Sequence, residues 1–354
     1  MIEVRRPGKL FIAGEYAVTE TGHRAIVVAI DRFIKLSLGK SNQSNQGSIE
    51  SFNDVRVNIK REKEIKLDTH DERFTYILSA IDITEIYLNT IVESLDLYDI
   101  KIVSEMEDES GSKYGFGSSA AVTVATVEAI LKYYKVEYTD EILFKLSVLA
   151  TLNMNKQGSF ADLAAVVSYG AILYRKFDLS QVLDLIEKFT IYDVVNARWD
   201  YLEIRKFDFP KDWKLYVGWT GTPASSINLV DKIKNQEPTS REFHSDFLSS
   251  SEYIVEQIYE AFLNEDYELF YRFIDKNRKL FVEFGNKYQS YIETTKLKQL
   301  SDMANKYNMA SKLSGAGGGD CGIAIDVSKV NKEKLKKSWE SKGIKFLDIN
   351  IYEG

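Results

Sequence analysis

Gly111-Ser-Lys113-Tyr-Gly115-Phe-Gly117-Ser118-Ser119-Ala120-Ala121 is the stretch on which the reading of this chain turns. It follows a strand-like run over Tyr98–Met106 and the acidic segment Glu105–Glu109, and it opens an Ala/Val-rich helix expected over Ser119–Tyr134. Two glycines let backbone amides approach an anion closely. The first helical turn then offers unpaired N–H groups at the positive end of the helix dipole. Ser118 and Ser119 add hydroxyls suited to phosphate oxygen or Mg²⁺, and Lys113 stands just upstream as a neutralising cation. The same residues also read as a serine-capped helix after a flexible loop. They satisfy the G-x-G-x-x-A form of the dinucleotide fingerprint too, with Glu137 lying 20 residues after Gly117. That fingerprint needs a strand to carry the acid, and Lys135–Tyr138 is too short before the next helix. A G-x-x-x-x-G-K-[ST] loop is absent, as are the His-Arg-Asp and Asp-Phe-Gly signatures of protein kinases.

Two further glycine-bearing segments lie on either side. Lys312-Leu-Ser314-Gly315-Ala316-Gly317-Gly318-Gly319-Asp320-Cys321-Gly322 sits between two expected strands. It reads as a wide turn, or as backbone passing under a bulky anion. Near the start, Pro7-Gly8-Lys9-Leu-Phe-Ile-Ala-Gly14-Glu15-Tyr16 places a lysine on an early strand ahead of Gly-Glu-Tyr. That arrangement puts one cation and one carboxylate into a cleft, or leaves both on the surface.

Expected strands cover Lys9–Ala13, Ile26–Ile30, Phe33–Gly39 and Val55–Ile59, with a polar loop at Lys40–Ser48. Helices are expected over Phe74–Val92, Thr139–Met154 and Ser159–Val167, followed by a strand at Gly170–Tyr174. The later part predicts strand Lys214–Gly218, helices within Ala224–Lys306, strands Met309–Ser314 and Cys321–Asp326, helix Lys329–Lys342 and strand Lys345–Asn350. This β-α-β-β-α-β order, with extra helices in its first crossover, fits a ferredoxin-like unit. The fold class is therefore α+β, with an N-terminal domain over 1–175 and a C-terminal domain over 176–354.

Composition narrows the function. The 354 residues are 44% apolar and 28% charged, with 20 glycines and 4 prolines, as in an ordinary globular protein. Forty-six basic against 53 acidic residues give a net charge of −7, which lacks the field that draws proteins onto nucleic acid. One cysteine and three scattered histidines exclude a disulfide framework and a Cys/His zinc site. The first residues make a poor signal peptide, and no apolar stretch is long enough to span a bilayer, so a reduced cytoplasmic setting and no membrane partner are expected.

Taken together, PGKLFIAGEYAV (7–18), GFGSSAA (115–121) and KLSGAGGGDCGIAI (312–325) resemble, in order and spacing, the motifs of one kinase superfamily. It is the superfamily named for galactokinase, homoserine kinase, mevalonate kinase and phosphomevalonate kinase, in which the central loop is commonly G-L-G-S-S-A-A. The likeness is strongest to its bacterial phosphomevalonate kinases, through GSFADLA (158–164) and VGWTGTPASS (217–226) as well, and it runs through nearly the whole chain. The resemblance implies an N-terminal domain like ribosomal protein S5 domain 2. It implies ATP-dependent, Mg²⁺-assisted phosphoryl transfer to phosphomevalonate, giving diphosphomevalonate and ADP. Carried over residue by residue, it assigns Lys9 and Asp162 to catalysis, and Lys113, Gly115, Gly117, Ser118, Ser119 and Ala120 to the nucleotide. Ser119 would also be the Mg²⁺ ligand. Lys9, Tyr16, Ser159, Trp219, Ser225 and Ser226 would contact the acceptor. One departure matters: mevalonate kinases carry a second metal-binding glutamate about eleven residues before the aspartate. Here position 151 is Thr and 148–157 holds no carboxylate. The competing readings are another small-molecule kinase of the superfamily such as a mevalonate kinase, a nicotinamide-dependent oxidoreductase, and a non-catalytic ligand sensor.

Overall fold

The structure, a computed structural model, describes every residue except 44–45, 52–54, 62–64, 68–70, 72–73, 155, 223–240 and 329–331. The apolar runs at the start of the chain form two long antiparallel strands, β1 (Ile2–Ala13) and β2 (Arg24–Lys40). The polar pair Asp31–Arg32, which suggested a break between two short strands, is instead a bulge. Gly8 pairs with Ile30 and Pro7 with Phe33, so two residues of β2 are skipped and the strand continues. Along its other edge β2 pairs with β6 (Tyr98–Ser104) and with β7 (Ala171–Arg175). Three strands, β3 (Gly47–Ser51), β4 (Val55–Arg61) and β5 (Ile65–Leu67), extend the sheet beyond β6, and β8 (Glu203–Phe207) extends it beyond β7. The sheet thus continues past residue 175, and we retain 1–175 and 176–354 only as a proposed division of the chain.

Four helices pack together against this sheet: α1 (Thr75–Leu88), α2 (Ser118–Tyr133), α3 (Asp140–Asn153) and α4 (Ala161–Ser168). All residues of α2 from Ala120 to Leu131 are buried, so it is the central helix of the layer rather than an amphipathic surface one. Two short helices follow, α5 (Leu179–Lys188) and α6 (Ile191–Asn196).

The second sheet has the order β10-β11-β9-β12, with every pairing antiparallel. Its strands are β9 (Lys214–Trp219), β10 (Ala310–Leu313), β11 (Cys321–Asp326) and β12 (Lys345–Leu347). The first crossover carries α7 (Arg241–Leu263), α8 (Tyr267–Lys287) and α9 (Thr295–Asn305), and the second carries α10 (Lys332–Glu340). This is the ferredoxin-like arrangement expected from the element order, with additional helices in the first connection. Among the described residues no helix is long and apolar enough to cross a membrane.

Candidate active site

The three glycine-bearing segments meet at the junction of the two sheets. Lys9 on β1 is tied to the central loop twice: its N–H donates to the Phe116 carbonyl (2.9 Å) and its Nζ to the Gly115 carbonyl (3.3 Å). Gly117 is the residue before α2, at φ 79°, and no side chain caps that helix end. The serine-capped reading of the loop therefore fails. The hydroxyls of Ser118 and Ser119 are not spent on the helix start, which leaves an anion-binding end. Both loop glycines are required. A Cβ on Gly115 (φ +86°) would lie 2.5 Å from Cγ of Asp320, and one on Gly117 would lie 2.8 Å from Cε of Lys9. The third motif thus supports the central loop directly, and the Cys321 thiol adds a hydrogen bond to the Tyr114 carbonyl at 3.2 Å.

Glu15 follows β1 and is clamped from the second sheet. Its Oε1 accepts from Nζ of Lys312 (2.5 Å) and from the Gly315 N–H (3.2 Å). Both side chains are buried, and burial pushes the Lys312 ammonium below its ordinary range against the pull of Glu15. Ser314 completes the seam, accepting from the Phe11 N–H (2.9 Å) and donating to the Phe11 carbonyl (3.0 Å). Burial, then the Glu15 charge, raise the pKa of Tyr16, whose neutral hydroxyl donates to the Ala316 carbonyl.

Asp162 lies in the first turn of α4 and accepts from the Leu163 N–H through Oδ1 (3.0 Å). The turn into this helix is strained: Phe160 sits at φ 61° and is held by burial and by stacking on Phe177 at 5.5 Å. Buried Lys176 pins the same loop, donating to the Gly158 (2.7 Å) and Thr19 (2.6 Å) carbonyls. The Tyr174 hydroxyl donates to the Ser159 carbonyl at 2.8 Å.

A cavity of about 200 Å³ opens between these pieces. Of the residues expected from sequence, Lys9, Tyr16, Ser119, Ala120, Ser159 and Asp162 line it. Lys9 and Asp162 share the cavity without forming an ion pair with each other. Gly115, Gly117 and Ser118 form its adjoining loop rather than its wall. Two residues stand elsewhere. Lys113 is exposed on a short β-bridge to Glu107, and Trp219 is buried at the end of β9, edge-on to Tyr114 at 5.1 Å. Ser225 and Ser226 lie outside the described residues. The wall also takes Glu15, Tyr76, Thr151, Lys156 and Gln157. Glu15 is signalled by its Gly-Glu-Tyr setting and Thr151 by its place at the family's glutamate position, whereas Tyr76, Lys156 and Gln157 carry no sequence signal.

Among the described residues there is no group of three or more His, Cys, Asp or Glu suited to a metal. The cavity does offer hydroxyl oxygen, that of Ser119 among others, beside a helix end suited to phosphates. That donor set fits Mg²⁺, which binds through few protein oxygens and completes its shell with phosphate oxygens and water.

Two family models match the chain: the N-terminal domain of GHMP kinases over residues 75–170 and the C-terminal domain of GHMP kinases over 258–345. A phosphomevalonate kinase from a Streptomyces species is 31% identical over 351 residues, covering 96% of this chain and 94% of its own. Among solved structures, the Lin0012 protein from Listeria innocua superposes with a TM-score of 0.91 at 36% identity, with 99% of each chain covered. Phosphomevalonate kinase from Streptococcus pneumoniae, in complex with phosphomevalonate and AMPPNP, superposes at 0.86 with 28% identity, covering 99% of this chain and all of that one. With both domain models matched in order, and a relative of this identity along nearly its full length, the chain belongs to the GHMP kinase family.

Proposed function

We propose that this protein transfers the γ-phosphoryl group of ATP to phosphomevalonate, giving diphosphomevalonate and ADP. The observation that carries the reading is the match to a phosphomevalonate kinase across 96% of the chain. The cavity's chemistry agrees with it. An acceptor phosphate oxygen attacks the γ-phosphorus, the bond to the β,γ-bridging oxygen breaks, and ADP leaves with the electron pair. Lys9, fixed by its bonds to the central loop, neutralises charge on the transferring group. Backbone N–H groups at the start of α2, with Ser118, hold the nucleotide phosphates, and Lys113 adds long-range positive charge. Ser119 is the proposed protein ligand for Mg²⁺, which when bound supplies charge neutralisation on the phosphates.

The attacking group is a phosphate monoester with a second pKa of about 6, so at neutral pH little proton transfer is needed. Asp162 is accordingly assigned to orienting Lys9 once the phosphates are bound rather than to acting mainly as a base. Tyr16, Ser159, Ser225 and Ser226 are proposed on the acceptor side, without Trp219, which does not line the cavity, and the cytoplasm is proposed as the compartment. The test is ADP release, coupled to a spectrophotometric reporter, with phosphomevalonate and mevalonate compared at equal concentration. Turnover of phosphomevalonate at least about tenfold above mevalonate in kcat/KM, equivalent to about 1.4 kcal/mol, is expected. Preference for mevalonate, or substrate binding without ADP release, would overturn the reading.

A further inference from the structure

The charged residues lining the cavity are Lys9, Glu15, Lys156 and Asp162. Glu15 is already neutralised by the buried Lys312 at 2.5 Å. What remains is two cations against one carboxylate, in a wall whose other residues are uncharged. Lys9 is engaged with the nucleotide-side loop through the Gly115 carbonyl. Lys156 is different. It is half-buried, its Nζ lies 4.2 Å from the centre of the Tyr76 ring, and it has no carboxylate partner among the described residues. A ring beneath an ammonium orients it and strips part of its water without cancelling its charge. The segment that follows is rigid, because Lys176 and Tyr174 hold the carbonyls of Gly158 and Ser159. Lys156 is therefore a cation of the cavity wall, seated on an aromatic ring and without a carboxylate partner among the described residues.

We infer that Lys156, seated on Tyr76, is a specificity residue that binds the carboxylate of the acceptor. This rests on the phosphomevalonate kinase reading. The acceptor carries two anionic groups, and its phosphate is the nucleophile, which has to meet the γ-phosphoryl group beside Lys9. The second cation of the cavity is then left for the other anionic group. A charge-assisted hydrogen bond there fixes the acceptor at both ends, which is what in-line attack requires.

The experiment compares wild type with Lys156→Gln and Lys156→Arg in steady-state kinetics. Two competitors separate the anionic groups: mevalonate, which keeps the carboxylate and lacks the phosphate, and inorganic phosphate. Lys156→Gln should raise KM for phosphomevalonate about tenfold and weaken inhibition by mevalonate by a similar factor. KM for ATP, inhibition by phosphate and the melting temperature should stay near wild type. Lys156→Arg should restore most of the loss, and the wild-type advantage should shrink as salt is raised. Unchanged KM for phosphomevalonate, an equal rise in KM for ATP, or weakened phosphate inhibition with mevalonate unaffected would each overturn the assignment. If wild type fails to turn over phosphomevalonate, the functional reading falls first and the inference with it. If wild type is active and Lys156→Gln matches it, the inference alone is refuted.

Discussion

Replacing Lys312 by methionine should destabilise the protein through a charge left behind rather than through lost packing. Lys312 is wholly buried and its Nζ lies 2.5 Å from Oε1 of Glu15, which is itself 3% exposed. Methionine keeps most of the side chain's length and apolar contact. It leaves the carboxylate with the Gly315 N–H as its remaining described donor, while Oε2 has no partner among the described residues. Breaking a buried pair from one side costs about 3–5 kcal/mol. At about 2.1 cal/mol/K of unfolding entropy per residue, a 354-residue chain melting as one unit would lose roughly 4–7 °C. The assay is thermal unfolding followed by circular dichroism, with urea unfolding as the check on free energy. The double variant Glu15→Gln with Lys312→Met removes both charges and keeps an acceptor for the Gly315 N–H. It should recover at least about half of the loss, since a buried pair replaced by neutral groups is often near neutral. The reasoning is refuted if Lys312→Met melts with wild type, or if the double variant is as unstable as the two single losses added together.

Lys9→Ala should lower kcat on the order of 10²-fold with an unchanged circular dichroism spectrum, and a near-wild-type kcat would remove Lys9 from catalysis. Ser119→Ala should weaken Mg²⁺-dependent turnover more than metal-free nucleotide binding, and equal losses in calorimetry and kinetics would count against a metal role. Gly115→Ala forces a Cβ to within 2.5 Å of the Asp320 carboxylate carbon, whereas Gly111→Ala, at a similar φ of +81°, meets nothing within 4 Å. Gly111→Ala should therefore cost only the left-handed strain of about 1–2 kcal/mol, while Gly115→Ala loses nucleotide affinity as well. Asp162→Asn should show a deficit that stays nearly constant from about pH 6 to 8, because a carboxylate that only positions Lys9 takes no proton from the acceptor, whose second pKa is about 6. A deficit growing steeply as pH falls through that range would identify a base.

Local chemistry carried much of this protein's reading. The Gly115–Ala121 loop declared an anion site because glycine spacing and a helix start are properties of neighbouring residues. The β-α-β-β-α-β order from Lys214 to Leu347 followed from periodicity that stays within each element. Where the sequence misled, a local cue had a tertiary answer. Asp31–Arg32 parts two expected strands, yet pairing with β1 on one edge and with β6 and β7 on the other carries the strand through as a bulge. The strand Glu203–Phe207 is a short run with no clear signal of its own, and it is placed by pairing with β7 at an edge of the first sheet. The contacts that assemble the site were legible only in three dimensions. Glu15 meets Lys312, Gly115 meets Asp320, and Lys156 meets Tyr76. The first two pairs are separated by some 200 to 300 positions, and no spacing rule along a chain describes an approach across two sheets. Sequence alone placed two glycines and two serines at one helix start, the pattern from which phosphate binding is proposed. The tertiary packing of β1, α4 and the second sheet decided which cations and carboxylates share that cavity and which are paired, as Glu15 is by Lys312, because burial leaves a charge in place only where a partner from elsewhere in the fold, or a ligand, can meet it.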